Sequence, residues 1–155
     1  DEIEDEALDT QKYILAQKQD CYDQGVRYGG VDTYSAVEYL FEVIESSPAT
    51  SSRPADYIDA HPIEYRELTY YGSYTLQYVF SQFLKGGQTG LRGHLMRSVL
   101  DDLAPEAQLR IYAETGQEYF DEWKAGAIRI SEQHDMEWIK ENQPAIWLLL
   151  QMIDE

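Results

Sequence analysis

Three histidines, one cysteine and a surplus of carboxylates are the groups in this chain equipped for chemistry. His61, His94 and His134 belong to no HExxH and to no cysteine-rich pattern, the arrangements that protein-bound zinc uses. His61 and Glu64 lie three apart near a helix start, and His134 is followed directly by Asp135, with Glu132 two residues before it. An acid-rich chain produces such pairs by chance, so the plainer reading of both is structural or solvated. No metal site and no cofactor is expected from these residues. Cys21 is the single cysteine, which excludes an intramolecular disulfide. Set among tyrosine and aspartate, it reads as a passive small residue before it reads as a nucleophile. There is no GxSxG elbow, and Ser81 and Lys85 are four apart instead of the three of Ser-x-x-Lys. Glu114, Glu118, Asp121 and Glu122 crowd one helix surface, where like charges four apart cost only a few tenths of a kcal/mol. A glycosidase pair would need two carboxylates at a fixed distance across a cleft, which spacing does not supply. No catalytic residue is assigned.

Two features point to binding. Gly86, Gly87, Gly90 and Gly93 surround Thr89 and Arg92 at a helix start. Free backbone N–H groups with an arginine beside them can hold a carboxylate or phosphate. The pattern is neither GxxxxGK[ST] nor GxGxxG, and a plain connection between helices is the simpler account. The second feature is tyrosine: 13 in all, with Tyr65, Tyr70, Tyr71, Tyr74 and Tyr78 on one stretch. Tyrosine is large, rigid and amphipathic, so it is enriched at recognition surfaces. It also serves as a core residue whose hydroxyl reaches the rim. Tyr70, Tyr71 and Tyr74, with Thr89 and Arg92, are the candidate ligand-binding residues.

The element that would position them is residues 62–84, PIEYRELTYYGSYTLQYVFSQFL. Wound at about 100° per residue, Leu68, Gly72, Thr75, Leu76, Val79, Phe80 and Phe83 fill one side, and Tyr71, Tyr74 and Tyr78 widen it. An apolar arc over half the circumference predicts one long central helix with neighbours on several sides. Pro62 suits its first turn, and Lys85, Gly86 and Gly87 suit its end. Gly72 in mid-helix costs about 1 kcal/mol against alanine. Either another helix approaches closely there, or the glycine leaves a notch for a ligand between Tyr71 and Tyr74.

Around that helix the periodicity predicts others. Residues 7–28 carry Leu8, Ile14, Leu15, Tyr22 and Val26. Asp32 or Thr33 caps a stripe of Tyr34, Val37, Leu40, Phe41 and Ile44. Residues 46–56, rich in serine and proline, form a loop, and residues 57–60 a single turn. Thr89 is the expected N-cap of a helix on Leu91, Leu95 and Val99 that runs to Leu103. Pro105 opens a short segment, residues 116–133 form a helix on Tyr119, Phe120, Trp123, Ala127 and Ile130, and Pro144 starts a buried last helix, AIWLLLQMI. No strand pair with a tight turn and no repeat is found. The expectation is an all-α, irregular domain of six or seven helices spanning residues 1–155, with residues 1–6 frayed.

Length and charge narrow the partners. A chain of 155 residues with 43% hydrophobic residues and five prolines can bury a core. Net charge is −17, from 29 acids against 12 lysines and arginines. That charge repels phosphate backbones and anionic lipid, so nucleic acid is not an expected partner. No run approaches the roughly 18 apolar residues of a membrane span, so no direct membrane insertion of this piece is expected.

Residues 65–96, YRELTYYGSYTLQYVFSQFLKGGQTGLRGHLM, resemble a segment of the extracytoplasmic C-terminal regions of BlaR-like membrane metallopeptidases and related lipoproteins of Gram-positive anaerobes. The zinc HExxH and the sensor Ser-x-x-Lys of that family are absent, so no catalytic residue carries over. The resemblance implies an extracytoplasmic location, anchorage to the cell membrane through a segment outside this chain, and a sensor-like or accessory role. The expected function is non-enzymatic binding of a small molecule or protein. The alternatives are a hydrolase of cell-wall material working through a carboxylate pair, and an acidic intracellular interaction or immunity-type protein with a basic partner.

Overall fold

Proline sets three helix starts, at Pro54, Pro62 and Pro144, where a missing N–H leaves nothing unpaired. The computed structural model describes residues 33–48, 53–104 and 112–153. They form eight helices and no strand, so the fold is all-α. In order these are α1 (Thr33–Glu45), α2 (Pro54–Ala60), α3 (Pro62–Tyr70), α4 (Ser73–Lys85), α5 (Leu91–Leu103), α6 (Gly116–Gln133), α7 (Met136–Asn142) and α8 (Pro144–Ile153). The expected helix over residues 7–28, Cys21 and the segment opened by Pro105 lie outside the described residues. Among the described residues no helix is long and apolar enough to cross a membrane.

The expected single rod over residues 62–84 is two helices, and Gly72 is the reason. Its φ of 55° and ψ of −114° lie where L-residues rarely go, and the chain changes direction there. Neither sequence-based account of this glycine invoked its backbone. A Cβ at Gly72 would meet only the Tyr70 carbonyl oxygen, at 4.0 Å, so no neighbouring helix crowds it. In a continuous helix the Gly72 N–H would donate to Leu68. Instead it donates to the Thr69 carbonyl at 3.2 Å. The released Leu68 carbonyl accepts from the Thr75 hydroxyl at 2.6 Å, so a fully buried threonine closes the break without an orphaned backbone group. Beyond the break α4 is central, packed on α1, α5 and α8. Val79, Phe80 and Phe83 are buried on it, and Phe83 stacks on Phe120 at 4.8 Å between ring centres.

A second correction concerns Thr89. It does not cap α5: Gly90 is the N-cap residue, extended and without a side-chain hydrogen bond. The glycine turn is fixed from the other side instead. The Gln117 N–H donates to the Gln88 carbonyl at 3.0 Å, and the Gln88 N–H to Gln117 Oε1 at 3.2 Å. The close backbone approach lies here, between Gly93 and Gly116: a Cβ on Gly116 would fall 2.1 Å from the Gly93 carbonyl oxygen. Thr115 caps α6, accepting from the Glu118 N–H at 3.1 Å.

Candidate ligand-binding cleft

The break at Gly72 turns the first residues of α4 toward α8, and an open cleft of about 450 Å³ lies beside it. Four elements build the wall. The Gly72 corner and the start of α4 give Gly72, Ser73, Leu76 and Gln77, and the end of α5 gives Leu103. From α7 comes Lys140, and from α8 come Pro144, Ala145, Trp147 and Leu148. The volume is in the range of small-molecule sites, which are mostly apolar with a few placed polar groups. Here those groups are the Ser73 hydroxyl, the Gln77 amide and the Lys140 ammonium. Lys140 Nζ stands 4.8 Å from the centre of the Trp147 ring, a cation–π contact at the mouth. Among the described residues no acid lines the cleft.

None of the five sequence-proposed residues is on that wall, although the notch foreseen between Tyr71 and Tyr74 is where two of its residues, Gly72 and Ser73, stand. Tyr71 is buried at 8% exposure, and Tyr70 and Tyr74 are half-buried; all three have interactions of their own within the protein. Thr89 is exposed, with its N–H donated to the Gly87 carbonyl at 3.0 Å. Arg92 is committed inward. Its Nε donates to Glu45 of α1, its Nη1 donates to the Tyr78 hydroxyl at 2.7 Å, and its guanidinium lies over Phe41 at 5.2 Å. The arginine therefore ties α1, α4 and α5 together.

Two further tyrosine hydroxyls do similar structural work. Tyr65 of α3 donates to Asp102 at 2.5 Å and lies 3.0 Å from the Ser98 hydroxyl, while Tyr119 of α6 donates to Asp101. Two adjacent acids at a helix C-terminus face the unfavourable end of its dipole. Here phenol donors from two other helices compensate. Burial, then the hydrogen bond to its aspartate, pushes each of these phenols well above the ordinary value. Burial also pushes Tyr78 up, to about 12, against the opposing pull of Arg92. Phenols held protonated in this way do not serve as bases. His61 is likewise occupied, 2.9 Å from the Ser47 hydroxyl and 3.6 Å from Glu64. Among the described residues no three His, Cys, Asp or Glu side chains gather as a metal site would need.

Sequence reasoning missed most of the wall. Gly72 was the one visible signal. Trp147 and Leu148 sat in an apolar run that reads as core, and Lys140 in a polar run that reads as surface. Comparison with protein-family models, curated proteins and solved structures finds no match, so the functional assignment rests on this cleft and the residues around it.

Proposed function

We propose that this chain is a non-enzymatic binding domain and that the cleft between α4 and α8 is where it takes its ligand. The carrying observation is a small-molecule-sized hollow with apolar walls and, among the described residues, three polar side chains, those of Ser73, Gln77 and Lys140. Among the described residues no acid stands on this wall, so the cleft offers no carboxylate pair of the kind a hydrolase would use. The resemblance of residues 65–96 supports a sensor-like or accessory role outside the cytoplasm, at the end of a membrane-anchored parent. Protease treatment of intact cells tests that location: cleavage supports it, and full protection with a cytosolic marker's behaviour overturns it.

The cleft itself is tested by amide NMR of the labelled protein against a panel of neutral apolar fragments. Binding fragments should shift the amides of Ser73, Leu76, Ala145 and Leu148 as a group. Gln77→Trp, at an exposed wall position, should abolish those shifts while the rest of the spectrum stays folded. Shifts that avoid this group, or that survive Gln77→Trp unchanged, would sink the assignment.

A further inference from the structure

We infer that the ligand of this cleft is an amphipathic small molecule carrying a single carboxylate, with Lys140 as the residue that selects the charge. The inference rests on the binding-domain reading and deepens it. Its basis is where the charges are not. Acids outnumber lysines and arginines 29 to 12 over the chain, yet among the described residues none of the ten that line the cleft is acidic, and the one charged residue of those ten is a cation. Lys140 makes no ion pair among the described residues. Its ammonium rests on the face of Trp147 instead, at 4.8 Å, so the charge is held at the mouth while the apolar wall lies behind it. Lysine keeps its stem on apolar surface and its head in water, which suits a carboxylate whose body is buried.

Local backbone charge is mixed, because the wall also holds Leu103 at the C-terminus of α5 and Lys140 in the last turn of α7, where the partial charge is negative. The α4 N-terminus, with no side-chain cap, and the α8 N-terminus both open on the wall, through Ser73 and Pro144. Helix N-termini carry partial positive charge, which those two C-terminal ends offset, so the preference for an anion rests on the lysine. A single ammonium matches a single negative charge. A multiply charged ligand would leave charge without a partner, because Lys140 is the one cation among the described residues that line the cleft. The apolar walls of Leu76, Leu103 and Leu148 favour a remainder that is largely hydrocarbon.

Three probes with one tail and different heads separate the possibilities: decanoate, decanol and decylammonium, each below its critical micelle concentration. Titration by calorimetry should give decanoate a Kd at least about tenfold below that of decanol, a preference that shrinks with added salt. Lys140→Met keeps the stem and removes the charge, so decanoate should fall to the level of decanol while decanol binding stays the same. Equal affinities for the three heads, or decylammonium tightest, would overturn the carboxylate and leave the cleft standing as an apolar site. Failure of all three to bind would overturn it too, and the neutral-fragment NMR would then decide the cleft separately. Retention of the decanoate preference in Lys140→Met would remove Lys140 from the selecting role and with it the inference.

Discussion

Replacing Gly93 by alanine sets two physical effects against each other with opposite signs. Gly93 is the third residue of α5, and helix propensity alone favours alanine there by up to about 1 kcal/mol. The structure predicts the reverse. A Cβ at Gly93 would lie 2.3 Å from the Gln88 carbonyl oxygen, a backbone atom that cannot swing aside like the end of a flexible side chain. The Gln88 segment would have to move away. That segment is held to α6 by the reciprocal Gln88–Gln117 hydrogen bonds, at 3.0 and 3.2 Å. Overpacking costs about 1–3 kcal/mol, and losing one of those bonds costs about 1 kcal/mol more. Set against the propensity gain, the net expectation is destabilisation of about 1–3 kcal/mol. Urea denaturation followed by circular dichroism measures it. Gly90→Ala is the control, since nothing lies within 4 Å of a Cβ there, and it should change stability by no more than about 0.5 kcal/mol. A Gly93→Ala protein as stable as the parent, or more so, would refute the close approach of the Gln88 carbonyl to Gly93.

Two further outcomes follow from the hydroxyl network. Unfolded tyrosines titrate near pH 10, whereas burial holds Tyr78 to about 12 and raises Tyr65 and Tyr119 as well. Between those pH values the folded chain binds more protons than the unfolded one, so stability present below pH 10 is lost as pH rises, by about 3 kcal/mol for Tyr78 alone. Urea midpoints that hold steady from neutral pH to about 12, with every phenol ionising at the ordinary value, would contradict this. Arg92→Met leaves the Glu45 carboxylate and the buried Tyr78 hydroxyl without their partner and should cost about 2–3 kcal/mol, against about 1 for Tyr78→Phe. Equal, negligible losses for the two variants would show that Arg92 ties nothing together.

Much of the helical architecture was legible because apolar periodicity is a local property. Residues 116–133 and the helix begun by Pro144 were placed at their observed limits by the spacing of Trp123, Ala127 and Ile130 and by one proline. The end of α4 at Lys85 followed from Gly86 and Gly87. What failed were features decided by backbone conformation or by distant partners. Gly72 looked like a helix residue because a 3.6-residue pattern continues across it, and a pattern of side chains carries no φ. Thr75 was counted as part of an apolar arc, although its hydroxyl is what satisfies the opened Leu68 carbonyl. Thr89 had the right chemistry for a cap, but the anchoring of Gln88 by Gln117 delays the helix until Leu91. The cleft was least legible of all: its wall comes from four elements separated by up to 76 positions, from Gly72 to Leu148, and no local pattern joins them.

An unfilled apolar hollow is itself informative about selection. Leaving Leu76, Leu103 and Leu148 beside an open space forfeits contacts that larger neighbours would supply, and two of the smallest residues, Gly72 and Ala145, stand on the same wall. If the hollow were only the packing defect of a helix that breaks at Gly72, a larger side chain at Gln77 would fill it and stabilise the fold, with nothing else lost. If it is a site, the same substitution stabilises and disarms together, the common trade between stability and function. Gln77→Trp therefore carries two readouts. A gain of about 1 kcal/mol in urea denaturation is expected, because apolar area leaves water. Loss of the fragment-induced shifts in the same protein is what separates a binding cleft from a gap.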